Sequence, residues 1–249
     1  MIQLKPAKIC ESNKNFKKIS KKILDLEKKG KITEALSISN KALNLAKKEK
    51  NHLFIAEFEK DLSILYRIKN KKNLSLHFIK SSLKIARKYK LKTQIGNAYG
   101  NIGVLNFLKG NYDEGIKYHK KAIKYHKNMA DIKRIIPNLS LIGMNYLMKK
   151  EYKKSKKFLD KALKLSEEEN YEVGILDTLY NMAIYYYELG DYDSSSASIK
   201  KAIEKTQDNI HKKIQCYKVL SNIYRMKGDK KKYKETKSII KKIERIYGK

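Results

Sequence analysis

Across 249 residues the chain holds only two prolines and 11 glycines, with 34% charged and 41% hydrophobic residues. Helix interiors exclude Pro and tolerate Gly poorly, so this composition disfavours an all-β fold and fits a mostly helical one. The formal net charge of +32, 58 Lys and Arg less 26 Asp and Glu, points either to a polyanion or to a solvated lysine surface written by composition bias.

Two features weaken the polyanion reading. Only five basic residues are arginine (Arg67, Arg87, Arg134, Arg225 and Arg245), the side chain suited to bidentate phosphate and base recognition. Lysine is also spread through every segment. Cys10 and Cys216 form no C-x-x-C pair and no framework, which disfavours a disulfide scaffold and is compatible with a reducing compartment. The stretch MIQLKPAKICESNKN lacks the apolar run of a signal peptide, and no segment approaches the ~18 apolar residues of a membrane span. The expected localisation is cytoplasmic.

A repeat runs along the chain. GKITEAL from Gly30, NKKNLSL from Asn70, GNYDEGI from Gly110, KEYKKSK from Lys150 and GDYDSSS from Gly190 stand 40 residues apart, and GDKKKYK follows 38 later from Gly228. Twelve residues after each of the first five starts comes a small residue and an aliphatic: Ala42-Leu43, Ser82-Leu83, Ala122-Ile123, Ala162-Leu163 and Ala202-Ile203. Before the later five starts come Leu62-Ser63, Ile102-Gly103, Ile142-Gly143, Met182-Ala183 and Leu220-Ser221. Tyr66, Tyr146, Tyr186 and Tyr224 lie four before the turn, with Asn106 as the exception. Spacings of three and four place these residues on one helical face, so each repeat is helix, short turn, helix.

In chain order the predicted helix pairs are 13–29/32–49, 52–69/72–89, 92–109/112–128, 131–149/152–169, 171–189/192–206 and 210–227/230–247. The turn glycines suit the left-handed conformation that ends a helix, and Asn111, Asp191 or Asp229 can cap the next. Gly103, Gly143 and Ala183 are small so that a partner helix can approach, while the tyrosines fill the space between hairpins. The first repeat has Ile23 and Leu26 where others have the small residue and tyrosine, and the last has Tyr233 and Ile240 at small positions, as end repeats do. Pro137 falls inside a predicted helix, which it should kink or shorten unless the helix starts there.

This pattern resembles the tetratricopeptide repeat (TPR), whose consensus runs small-aliphatic, small, aromatic, Gly-Asp/Asn-Tyr, then Ala and a closing Ala-Leu. Residues 181–203, NMAIYYYELGDYDSSSASIKKAI, and residues 99–123, YGNIGVLNFLKGNYDEGIKYHKKAI, are the closest copies. The long period is similar to that of Pins-type adaptors, kinesin light chains and Rap-type peptide receptors. The resemblance covers about residues 13 to 247 and implies an all-α, right-handed α-solenoid of about six helix-turn-helix hairpins. The expected organisation is a flexible tail over 1–12 and a single superhelical domain over 13–249, with repeats near 13–50, 51–90, 91–129, 130–169, 170–207 and 208–249.

Chemistry for an enzyme is missing from the pattern. His52, His77, His119, His126 and His211 include no i, i+4 pair and no carboxylate or cysteine at ligand spacing, and no Gly-rich phosphate loop follows a strand. His119 and His126 read best as part of an amphipathic helix at its hairpin contact. No catalytic residue, metal or cofactor is expected. Stacked hairpins instead provide a groove lined by the first helix of each repeat. Its expected lining is Asn97, Asn101, Val104 and Phe107 in the third repeat, then Met144 and Leu147 in the fourth. Tyr180, Asn181, Ile184 and Tyr187 follow in the fifth, and Asn222 in the sixth.

An apolar floor with scattered amides suits an extended or helical peptide, since Asn pairs with both N–H and C=O of a bound backbone. The expected function is thus a protein-interaction adaptor or scaffold for a protein or peptide partner, an acidic one given the charge. A regulatory peptide sensor and a lysine surface for nucleic acid or anionic lipid are the alternatives, and self-association stays open. A clamp for chaperone C-termini, which carries Lys-x3-Asn, Asn and Lys-x3-Arg in successive repeats, is disfavoured: Asn101 matches, but Lys60 is followed four later by Ile64 and the third element reads Pro137 and Leu141.

Overall fold

A computed structural model describes residues 6–206 and 209–247. Among them there are only helices: α1 (Pro6–Lys28), α2 (Ile32–Lys48), α3 (His52–Ile68), α4 (Lys72–Lys88), α5 (Lys92–Phe107), α6 (Tyr112–Lys127), α7 (Ile132–Met148), α8 (Tyr152–Glu168), α9 (Glu172–Glu188), α10 (Tyr192–Glu204), α11 (Ile210–Met226) and α12 (Lys230–Tyr247). These form the expected all-α helical-repeat fold. Among the described residues α1 covers Pro6–Lys28, so residues 6–12, expected as part of a tail, are helical.

The turns explain the period. Each turn between consecutive helices passes through one residue at positive φ, from 48° at Asn170 to 80° at Gly110, except that between α10 and α11, part of which lies outside the described residues. At Gly110 the following Asn111 N–H reaches back to the Asn106 carbonyl, and after Lys50 the Asn51 N–H reaches Ala46 in the same way. Both kinds of turn therefore close with the same helix-ending bond pattern. Glycine marks only Gly30, Gly110, Gly190 and Gly228; Lys50, Asn70, Lys90, Ala130, Lys150 and Asn170 take the same conformation with side chains. Asp191 and Asp229 cap as expected, accepting from Ser194 and Lys232 N–H groups at 3.0 Å. Asn111 makes no such bond, while Asn51, Asp131 and Asn209 do cap their helices.

The chain divides into two compact units, Met1–Asn101 and Ile102–Lys249. In the first, Phe16, Ile23 and Leu26 of α1 join Ala42 and Leu43 of α2 and Phe54, Phe58, Leu62 and Leu65 of α3 in one core. The Phe16 ring lies 5.0 Å from that of Phe54. In the second, Leu176, Ala183, Ile199, Cys216, Leu220 and Ile223 form the core of α9–α11.

Small residues work as the pattern requires. A Cβ on Gly143 would stand 2.9 Å from Leu159 Cγ, and one on Gly103 would stand 2.8 Å from the His119 ring. Ser63 and Ser195, at hairpin contacts, donate to the carbonyls of Ser75 and Ala183 on the facing helix, so each buried hydroxyl is satisfied. The tyrosines differ from expectation: Tyr66 stacks on Phe78 and Tyr146 on Phe158, each within its own hairpin. Pro137 lies inside α7, which starts before it at Ile132 and continues past it. Ile240, at a position that is small in other repeats, is buried, while Ile246 is exposed.

Candidate partner-binding face

In the second unit α7 packs on α9 and α9 on α11, whereas the even-numbered helices α6, α8 and α10 do not pack on one another among the described residues. Odd-numbered helices therefore line one face and even-numbered ones the other, and the wider spacing of the even set makes the odd face the inner one.

On that face α9 exposes Tyr180, Asn181, Ile184 and Tyr187 partly to solvent. Their spacing keeps them on one side of the helix. The Asn181 amide donates to Ser140 Oγ on α7 at 2.9 Å. That bond fixes the side chain and leaves its carbonyl oxygen and second N–H for a ligand. Tyr180 is clamped from α11: Lys212 Nζ sits 4.1 Å from its ring centroid and pairs with Asp177 at 2.7 Å. Burial pushes the Tyr180 hydroxyl above its ordinary value, so it stays neutral. Exposed Met148 and Asn222 and half-buried Leu141 extend the face on α7 and α11.

Not every expected lining residue is available to a ligand. Met144 and Leu147 are 6% and 3% exposed, buried against Leu159, Met182 and Tyr185. The cause is the direct contact of α7 with α9, which covers that side of α7. Phe107 packs on the same cluster, with its ring 5.8 Å from Tyr112. Val104 is half-buried. Asn97 and Asn101 fall in the first unit, where Asn101 Nδ2 donates to the Asn97 carbonyl at 3.0 Å. Asn106, the exception among the tyrosines, likewise turns its amide back to Ile102.

The first unit carries a different surface on α3. Lys60 pairs with Glu57 at 2.6 Å and with Asp61 at 3.0 Å. Burial raises the carboxyls of Asp61 and of Glu27 on α1, while it lowers the Arg67 guanidinium. These charges answer one another and make a polar, self-satisfied face.

Both histidines on α6 are buried against α7. His119 Nδ1 lies 2.9 Å from Asn138 Oδ1, and Asn138 Nδ2 donates to the Arg134 carbonyl. Because the amide N–H is committed, the network assigns the proton to Nδ1. Nε2 is then a buried acceptor with no partner, and burial drops the ring's pKa to about 4. His126 is lowered for the same reason, with Arg134 adding to the effect. His52 stacks on Tyr89, His77 meets Phe78 edge-on, and His211 bonds Gln215. Among the described residues no group of three or more His, Cys, Asp or Glu could hold a metal ion. Cys216 is buried and its thiol pushed up to about 11, so it is unreactive; the side chain of Cys10 lies outside those described. No described helix is long and apolar enough to cross a membrane.

The Ser140–Asn181 bond and the Lys212–Tyr180 clamp were not foreseen. Ser140 precedes Asn181 by 41 residues, one period plus one, which is the signal that links neighbouring first helices.

Comparison with known proteins agrees with this architecture. Residues 96–128 and 134–208 each match tetratricopeptide repeat models. No curated protein matches the chain. Among solved structures, a Rap protein complexed with competence and sporulation factor is 13% identical, with TM-score 0.72 over 94% of this chain and 78% of that one. NprR in complex with its cognate peptide NprX is 22% identical, with TM-score 0.70 over 84% of this chain and 61% of that one. Putative kinesin light chain TPR-like repeats from Podosopora anserina are 9% identical, with TM-score 0.52 over 75% of this chain and 92% of that one. At such identities the likeness is one of fold. Residues 96–128 and 134–208 are thus tetratricopeptide repeats, and the same left-handed turns recur between the helices on either side of them.

Proposed function

We propose that this protein is a non-enzymatic interaction adaptor that holds an extended or helical peptide on the α7–α9–α11 face of its second unit. The observation that carries the proposal is Asn181, pinned by Ser140 in the middle of a half-exposed strip of Tyr180, Ile184 and Tyr187. An oriented amide holds a peptide backbone, and rigid aromatics supply contact area at small entropic cost. The Rap and NprR structures, each solved with a peptide or factor bound, support this use of the fold. The surrounding charge of +32 favours an acidic partner through faster encounter.

Selection from a random peptide library, followed by fluorescence anisotropy, tests the proposal. Asn181→Ala and Tyr187→Ala should each weaken the selected peptide about tenfold, the scale of a lost anchor contact, with helical circular dichroism unchanged. Full affinity in both variants would remove this face from the account.

A further inference from the structure

The opposite face of the second unit holds a feature that peptide capture leaves unused. Because α6 and α8 do not pack on each other among the described residues, a cleft of about 570 Å³ opens between them, floored by Tyr146 of α7. Lys117, Lys120, Lys121 and Lys124 of α6 line one side. These positions follow an i, i+3, i+4, i+7 pattern and extend about 10 Å along one helical stripe. Lys149 and Lys154 face them from the α7–α8 turn and α8.

The repeat frame supplies an internal control for composition bias. At the same four places α2 has Ser37, Asn40, Lys41 and Asn44; α4 has His77, Lys80, Ser81 and Lys84. In α8 they are Lys157, Asp160, Lys161 and Lys164, and in α10 Ala197, Lys200, Lys201 and Glu204. Only α6 of this set carries lysine at all four. Composition bias alone gives no reason for lysine to occupy all four places of a stripe that lines a cleft.

The acids in the cleft act as braces. Lys149 bridges Asp113 at 2.6 Å and Glu151 at 3.0 Å, and Glu151 also holds Lys154 at 2.6 Å. Lys117 pairs with Glu114 at 2.8 Å, and Lys121 lies over the Tyr118 ring. Lys120 and Lys124 form no ion pair among the described residues. Six lysines against the lining carboxylates Asp113 and Glu151 leave the cleft cationic. Its volume falls in the range of small-molecule sites, roughly 300–1,000 Å³. Lysine binds phosphate as a point charge and does not require the planar fork that arginine brings.

We propose that the α6–α8 cleft binds a compact ligand bearing a chain of phosphates. Calorimetry at about 0.15 M salt, where diffuse surface charge is largely screened, tests it with inorganic tripolyphosphate and with ATP. Saturable binding of either supports the proposal; equal binding assigns the ligand to free polyphosphate, and tighter ATP binding assigns it to a nucleotide. The double variant Lys120→Gln/Lys124→Gln should weaken the interaction about tenfold, while Lys80→Gln/Lys84→Gln, the same charge removed at equivalent places on α4, should change it less than about threefold. Equal losses in the two variants would overturn the proposal by showing bulk charge at work. Absence of binding by both probes would overturn it too, as would binding confined to single-stranded RNA or to vesicles rich in phosphatidylserine.

Discussion

The same repeat frame carries opposite chemistry in the two units. Asp61 of α3 occupies the place that Asn181 takes in α9, Lys60 that of Tyr180, and Arg67 that of Tyr187. In the first unit these positions form an ion-paired set in which Lys60 answers Glu57 and Asp61. In the second they form an aromatic and amide strip with one pinned side chain. The backbone thus sets where side chains converge, and the residue at each place sets whether the surface is already satisfied or open to a partner.

Removing the hub of the charged set should have the largest effect. Lys60→Met leaves Glu57 and Asp61 close together in a half-buried site, with an expected cost of about 3 kcal/mol for breaking such a pair. Tyr180→Leu, at the equivalent place, should cost less than about 1.5 kcal/mol because an apolar group remains. Thermal or urea unfolding that ranks the two the other way would contradict the comparison.

Acid should act on the units in opposite directions. Burial raises the carboxyls of Asp61 and Glu27, so the folded first unit holds protons that the unfolded chain releases. Their contribution is present at low pH and is lost as pH rises above the ordinary carboxylate range. His119 is shifted the other way, from 6.5 to about 4, and Asn138 is the polar group facing it. Its contribution is complete above 6.5 and is lost as pH falls through 4, at most about 3 kcal/mol. Hydrogen exchange between pH 4 and 7 should show α6 and α7 losing protection on acidification while α3 does not. His119→Gln should remove the larger part of the loss and leave the share of His126 on the same helix, which burial also lowers; an unchanged profile in that variant would show that another group is responsible.

Binding offers a narrower test of the same contrast. Tyr187→Ala should weaken a selected peptide about tenfold, whereas Arg67→Ala at the matching place should leave it within about twofold. Smallest of all, Ala130→Gly relieves a left-handed residue at φ 52° and should stabilise the second unit by about 1 kcal/mol. Lys50→Gly, at φ 53° in the first unit, should gain a similar amount. A loss from either would show that the side chain at the turn contributes more than its strain costs.

Much of this was legible in the chain. Turn glycines, the small residues at hairpin contacts and the hairpin order follow from local spacing, because local spacing is what a helix-turn-helix unit obeys. The left-handed turns at Lys50, Lys90, Ala130 and Asn170 were not, since no glycine marks them and the packed helices on either side impose the conformation. Met144 and Leu147 look like surface positions within their own hairpin and become core only when α9 packs over α7. The pairing of His119 with Asn138 likewise depends on the contact between two hairpins, for which sequence spacing gives no rule. Asn181 could be placed on the inner face from its frame position, whereas the spacing to its anchor Ser140, one period plus one, gains meaning only once α7 is known to pack directly on α9.

The most direct test of the central claim is hydrogen exchange on the intact chain with and without a selected peptide at saturation. Added protection should fall on α7, α9 and α11, centred on Tyr180 to Tyr187, and Asn181→Ala should erase it. Protection confined to α3 or to the even-numbered helices would contradict the assignment of the inner face of the second unit as the partner site.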